Sequence, residues 1–209
     1  MQGNRCVVVS AGQTGVHIRD IPSGQHGELN WPVAFENLAA HIEYQPFKVN
    51  DQMEPGEMEI AGFQVQAAEN RHRGGSLTFR IQYGPHIVVY STDHEAGDPE
   101  IDSRLVELAQ GAHLWILDVQ YTIEERQRLS GWGHSSYLEA VQLALEAGVE
   151  IVVPFHHHPN HDDNVLDQMG LEAAELSAGT QTKVLMARDG MVIDVKGTPP
   201  NSKRVRAVL

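Results

Sequence analysis

The chain has 209 residues, of which 41% are hydrophobic, and carries 15 Lys and Arg against 28 Asp and Glu for a formal net charge of −13. Such a composition excludes a disordered chain and fits one globular domain, or one and a fragment; the acidic balance argues against nonspecific binding of a phosphate backbone, which needs a basic face. The single cysteine, Cys6, excludes an internal disulfide and a cysteine-based zinc site and fits a reducing cytoplasm, and apolar runs such as Ile151 to Phe155 are far shorter than the ~20 residues of a membrane span.

The first 50 or so residues carry few signals. Cys6 to Ser10 reads as a short strand, and Ala34 to Ile42 has weak helical character. From Glu57 the patterning sharpens. Met58 and Ile60, then Phe63, Val65 and Ala67, alternate about Gly62 as a hairpin would. Leu77, Phe79 and Ile81 alternate again, and Ile87 to Tyr90 is a compact apolar strand ending at Ser91-Thr92-Asp93. Asp98-Pro99-Glu100 predicts a helix start, with an N-cap carboxylate, proline in the first turn and acid at the positive end of the dipole. That helix buries Ile101, Leu105 and Leu108 and stops at Gly111. Leu114 to Leu117 is the next strand and ends at Asp118. Ser136 and Glu139 form a capping-box pair ahead of Leu138, Val141 and Leu145, and Gly148 stops that helix. Val149 to Phe155 is a strand running into His156, His157, His158 and His161, and Asp162 opens a last helix through about Leu176. Val184 to Ala187 and Met191 to Val195 flank Arg188-Asp189-Gly190, which predicts a hairpin; the stretch from Gly197 is a loose tail.

Strands and helices alternate from Ile87 onward, so the expected fold class is α/β. In such sheets polar residues just past the C-terminal ends of strands line the site. Asp93, Asp118 and His156 hold that kind of position, and His94 and Glu95 follow directly on Asp93. Twelve histidines are an unusual number, and histidine is the commonest metal ligand.

Four segments occur in a telling order: Asn70-Arg71-His72-Arg73-Gly74-Gly75 after a strand, VVYSTDHE with Asp93 at a strand end, GWGHSSYLEA with His134 before a capped helix, and VVPFHHHP with His156 at a strand end. Over roughly residues 57–195 this resembles the C-terminal part of the metallo-β-lactamase superfamily, in its ribonuclease Z and phosphodiesterase branch. The resemblance implies an αββα sandwich, incomplete at its N-terminal side, with 1–56 unassigned, 57–196 the metallo-β-lactamase-like portion and 197–209 the tail. It implies His72, Asp93 and His156 as metal ligands, with Asp93 bridging, and His134 as the residue that contacts the phosphate or assists the leaving group. Asp118, His94, His157 and His158 are further candidates; either of the last two can stand in for His156. The implied cofactor is a divalent metal, zinc first, with manganese or iron as alternatives. The implied activity is hydrolysis of a small phosphodiester or ester by metal-bound hydroxide.

The family's HxHxDH motif does not precede His72, where only His17, His26 and His41 occur, widely spaced. His156 to His161 nearly matches the motif, but Asn160 replaces its carboxylate and too few residues follow. The remaining ligands are therefore expected from a segment upstream of Met1 in a longer protein, from a homodimer partner or from a complementing polypeptide. Two other readings stay open: an inactive domain that binds a ligand or partner, and a histidine-rich metal-binding protein. No membrane partner is expected, and nucleic acid is expected to be an unlikely one.

Overall fold

A computed structural model describes residues 5–10, 37, 41–47 and 55–195. The chain divides into two compact units, Met1–Glu57 and Met58–Leu209. In the first, β1 (Arg5–Ser10) and β2 (His41–Pro46) pair in parallel, from Arg5 opposite His41 to Ser10 opposite Pro46. Cys6 is free and exposed. His41 and Ile42, expected at the end of a helix, open β2 instead: Ile42 and Tyr44 alternate with polar neighbours, a pattern that suits a pleated surface. Apart from Asn37, the rest of that expected helix lies outside the described residues.

Among the described residues the larger sheet has seven strands in sequence order: β3 (Gly56–Ile60), β4 (Phe63–Glu69), β5 (Leu77–Tyr83), β6 (His86–Ser91), β7 (Leu114–Asp118), β8 (Ile151–Phe155) and β9 (Lys183–Val184). The chain turns from β3 to β4 at Ala61 and Gly62, both at positive φ (52° and 86°), the two-residue turn whose twist matches a hairpin. β4, β5 and β6 are antiparallel, while β6 to β9 are parallel. Parallel strands need crossovers, supplied by α1 (Pro99–Ala109) after β6, by α2 (Ile123–Arg128) and α3 (Tyr137–Ala147) after β7, and by α4 (Asp163–Leu176) after β8. The C-terminal ends of β6, β7 and β8 therefore meet along one edge of the sheet.

Asp98 caps α1 by accepting from the amides of Glu100 and Ile101, with Pro99 in the first turn. Ser136 and Glu139 cap α3 reciprocally, and Gly148 ends it in the left-handed conformation (φ +65°). β7 is buried at all five positions and feeds both faces of the sheet. Trp115 and Leu117 join Val89 and Val152 with Leu105, Val141 and Met169 from the helices, in the main core. Leu114 and Ile116 pack with Val153 on the other face, against Tyr90, Phe155, Ile193 and Val195.

Two further elements differ from expectation. α2 carries no buried residue, so it has no apolar periodicity to read, although Thr122 and Glu125 form a full capping box. The C-terminal hairpin does not form. Lys183–Val184 runs parallel to β8, and the amides of Leu185 and Ala187 continue that pairing onto Val152 and Pro154. A turn follows, closed from Met191 to Arg188, but 191–195 forms no strand; Ile193 and Val195 gain burial against the sheet face instead of a ladder partner. Among the described residues no helix is long and apolar enough to cross a membrane.

Candidate metal centre

The common edge formed by the ends of β6, β7 and β8 gathers the chemistry. Asp93 leaves β6 at φ +55° and His156 leaves β8 at φ +66°. Residues other than glycine occupy that backbone region at a cost of about 1–2 kcal/mol each. Such conformations persist where the surroundings fix them, and they cluster at functional sites. Here both turn a ligand-type side chain back over the sheet edge.

Between them lies Asp118, the last residue of β7, fully buried. Its Oδ2 accepts from the amide of His94 (3.2 Å) and from His134 Nδ1 (2.7 Å), and lies 3.4 Å from His156 Nδ1, the outer limit of a hydrogen bond. Burial pushes this carboxyl up, but the hydrogen bonds and charges of His134 and His156 outweigh it and hold Asp118 below its ordinary value. His156 is raised in turn, chiefly by its hydrogen bond to Asp118, against the effect of burial and with help from the charges of Asp118 and Asp93. His156 Nδ1 is also 3.4 Å from Asp93 Oδ1, and His134 Nδ1 is 3.9 Å from the same oxygen. The second oxygen of Asp118, Oδ1, is buried without a hydrogen-bond partner.

His134 arrives from a glycine-framed loop. Gly131 and Gly133 have φ of +87° and +93°, and a Cβ on Gly133 would lie 2.3 Å from Cδ2 of His72. The His72 ring occupies that space, 5.5 Å from the His134 ring between centroids, and the His134 and His156 rings are 4.9 Å apart. Asn70 fixes the His72 loop to the end of β6: its Nδ2 donates to the Thr92 carbonyl (2.8 Å) and its backbone amide to that of Ser76 (3.0 Å).

The structure thus brings together Asp93, Asp118, His134 and His156, whose ligand atoms all lie within 4.8 Å of one another. His72 stands beside this group rather than in it, and its Nδ1 accepts from the Gly74 amide (3.2 Å). His94 points into the protein: Nδ1 accepts from the Arg71 amide (3.3 Å) and Nε2 donates to Asp102 (3.1 Å), so neither nitrogen is left for a ligand. His157 turns away too, with Nε2 on the Ala187 carbonyl (3.3 Å), and burial pushes it down. His158 stacks near Tyr121 and His161, and His161 is paired with Glu125 at 2.8 Å. A cleft of about 600 Å³ opens beside His156, lined by Phe155, His157, Leu166, Met186 and Arg188.

Two carboxylates and two imidazoles form a donor set suited to zinc, and to manganese or iron. The orphaned Asp118 oxygen is the kind of buried acceptor that needs a cation or a donor. The residues present therefore fit one divalent ion. They do not by themselves provide three ligands for each of two.

Sequence reading missed the clamp around this site. Glu95 is buried, and its two oxygens accept from the amides of Gly131 and Gly133, both at 2.8 Å, with Arg126 at 3.2 Å and Arg71 at 3.7 Å. Burial pushes Glu95 up, but these amides and guanidiniums more than offset it and hold it below its ordinary value. Ser135 Oγ donates to the His94 carbonyl (2.6 Å) and accepts from the Ala96 amide (3.1 Å). Contacts 24 to 41 residues apart leave no local signal in a sequence.

Over 90 residues the chain is 31% identical to ribonuclease Z of Brevibacillus brevis, a match that covers 41% of this chain and 28% of that protein. In fold it is similar to the metallo-beta-lactamase fold protein YhfI from Bacillus subtilis (TM-score 0.62, 18% identity, 88% of this chain and 63% of that one). It is likewise similar to the short form of human tRNase Z (TM-score 0.64, 16% identity, 90% and 66%). The chain spans less than two thirds of the length of each of these relatives. The model of the beta-lactamase superfamily domain matches residues 17–157, and so begins upstream of the segments that carry the sequence motifs. With that match across most of its length, and with the α/β fold of these structures, the chain belongs to the metal-dependent metallo-β-lactamase superfamily.

Proposed function

We propose that this chain acts in metal-dependent hydrolysis of a phosphodiester. The observation that carries the reading is the convergence of Asp93, Asp118, His134 and His156 at one sheet edge, two of them in costly backbone conformations. Asp93, His156 and Asp118 are the residues that would hold the metal ion, zinc by donor type. Such an ion, when bound, supplies Lewis-acid and water-activating chemistry. His134 serves the substrate. Its Nδ1–H donates to Asp118, which orients the ring; the imidazolium form then presents Nε2–H to the phosphate or passes that proton to the leaving oxygen. His72, beside His134, lines the same floor. The cleft next to His156 accommodates the remainder of the substrate.

Ligands beyond Asp93, Asp118 and His156 come, in this proposal, from a second copy of the chain, a complementing polypeptide or a segment upstream of Met1. The acidic balance favours a small phosphodiester, whereas the likeness to ribonuclease Z favours an RNA end, and the expectation against nucleic acid is correspondingly weaker. The position of His72 outside the group of four favours the second reading, an inactive domain that binds a ligand or partner.

The test is hydrolysis of bis(p-nitrophenyl) phosphate, and of a short RNA with a 3′ extension, with zinc or manganese supplied. The proposal expects turnover of at least one, reduced about 100-fold or more in His134→Ala, the usual scale for loss of a proton-transferring group. No turnover of either by the wild-type chain supports the inactive reading instead, and turnover indifferent to His134 refutes the role given to that residue.

A further inference from the structure

The loop that delivers His134 has almost nothing of its own to hold it. Gly131 and Gly133 lack side chains, and Trp132 between them is 67% exposed, so the loop is not anchored by burying its one large residue. Apart from a backbone bond from Trp132 to Leu129 and the His72 ring packed over Gly133, its anchor among the described residues is a single carboxylate. Glu95 Oε1 takes the Gly131 amide and Oε2 the Gly133 amide, both at 2.8 Å. At positive φ, alternate amides of the loop converge on one side, a concavity of the kind that elsewhere binds an anion. Here the chain fills it with its own side chain.

The same carboxylate reaches the other parts of the site. The Glu95 amide donates to the Arg71 carbonyl at 2.9 Å, which ties it to the His72 loop, and Asp93 is two residues before it. Arg126 of α2 and Arg71 neutralise Oε1 at 3.2 and 3.7 Å. Ser135, bonded to the His94 carbonyl and the Ala96 amide, pins the residue on the other side of His134. His134 is thus suspended between two anchors, and only the Glu95 anchor sits on the flexible glycine side.

We propose that Glu95 is the positioning residue for His134: by seating the Gly131 and Gly133 amides it holds the imidazole against Asp118. This inference rests on the reading of His134 as the residue that serves the substrate. A merely structural ion pair differs in its consequences, because Arg126 contacts the same carboxylate without touching the loop amides. Glu95→Gln sets a carboxamide N–H against one of those amides, while Glu95→Asp keeps the charge but falls one methylene short of holding both.

The experiment compares wild type, Glu95→Gln, Glu95→Asp and Arg126→Gln as metal-free proteins, by amide exchange and by the ring ¹H–¹⁵N signals of the histidines. Both Glu95 variants are expected to exchange the Gly131 and Gly133 amides at least ten-fold faster and to shift the His134 ring signals. His86 and His113, at the far end of the sheet, stay unmoved. Arg126→Gln lowers the melting temperature but leaves the His134 signals in place. Where the wild type hydrolyses a phosphodiester probe, Glu95→Asp lowers kcat at least ten-fold with KM little changed. Unmoved His134 signals in the Glu95 variants, or an equal shift in Arg126→Gln, overturn the inference. A wild type without metal binding or hydrolysis refutes the hydrolase reading, and the ring signals still decide the role of Glu95.

Discussion

Replacing Gly133 with alanine tests the packing of the site directly. The new Cβ would lie 2.3 Å from His72 Cδ2, 3.0 Å from its Nε2 and 3.3 Å from its Cγ. Carbon atoms pack at about 3.5–4.0 Å, so the His72 ring has to move by about 1–2 Å or the loop has to open. Gly133 also sits at φ +93°, where a left-handed L-residue costs about 1–2 kcal/mol. Overpacking a filled position adds about 1–3 kcal/mol. The expected loss is therefore about 2–5 kcal/mol, a large share of the 5–15 kcal/mol that typically holds a domain together. At about 2–4 °C per kcal/mol for a domain of this size, the melting temperature falls by roughly 4–20 °C. Gly148→Ala is the control: it has φ +65° and nothing within 4 Å of its Cβ, so it carries the conformational cost alone. Thermal unfolding of both variants, with and without His72→Ala, isolates the contact. His72→Ala should return about 1–3 kcal/mol to Gly133→Ala and nothing to Gly148→Ala. Equal losses in the two alanine variants, or no rescue, would falsify the placement of His72 against this loop.

Leu105 is fully buried in the main core, so Leu105→Ala should cost about 2–5 kcal/mol in denaturant unfolding; a loss below 1 kcal/mol contradicts the packing of α1 on the sheet. Glu125 is pushed up by burial, but the Thr122 amide and His161 outweigh this and hold it below its ordinary value. Its charge therefore stabilises the fold above the unfolded value of about 4.3, and the benefit is lost as pH falls through the lower folded value. Glu125→Gln keeps the capping box, since glutamine serves at that position. It should thus be less stable than wild type at neutral pH and converge with it in acid; a constant difference across that range refutes the assignment. His94→Leu leaves the Arg71 amide and Asp102 without their partner and should lower stability by about 1–3 kcal/mol while sparing any metal binding. Metal loss without destabilisation would mean that His94 is a ligand after all.

Much of this fold is legible because its signals are local. The Asp98-Pro99 start of α1 and the Ser136–Glu139 box of α3 each lie within four residues, and the structure places both caps where the sequence does. Strand ends are legible for a related reason. Where β6, β7 and β8 run parallel, their last residues share an edge, so Asp93, Asp118 and His156 meet there. Orientation is not local. His94 adjoins Asp93, yet it faces Asp102 inside the protein while Asp93 faces His156. His157 adjoins His156 and faces the Ala187 carbonyl. Which of two neighbouring histidines turns to the site depends on single backbone dihedrals, and periodicity does not report them. α2 escaped notice because it sets only the partly buried Ile123 against the core and has no fully buried residue, although its Thr122–Glu125 box stood in the sequence. The C-terminal hairpin failed because a turn signal states that the chain bends, not that the second arm finds a ladder partner.

The measurement that tests the central claim most directly is zinc titration of the purified metal-free chain. It would be followed by elemental analysis of wild type, Asp93→Ala and the double variant His158→Ala/His161→Ala. The account predicts a stoichiometric zinc ion that is lost in Asp93→Ala and retained when the loop histidines are replaced. No zinc in the wild type, or zinc that survives Asp93→Ala and disappears with His158 and His161, would contradict a metal centre at this sheet edge.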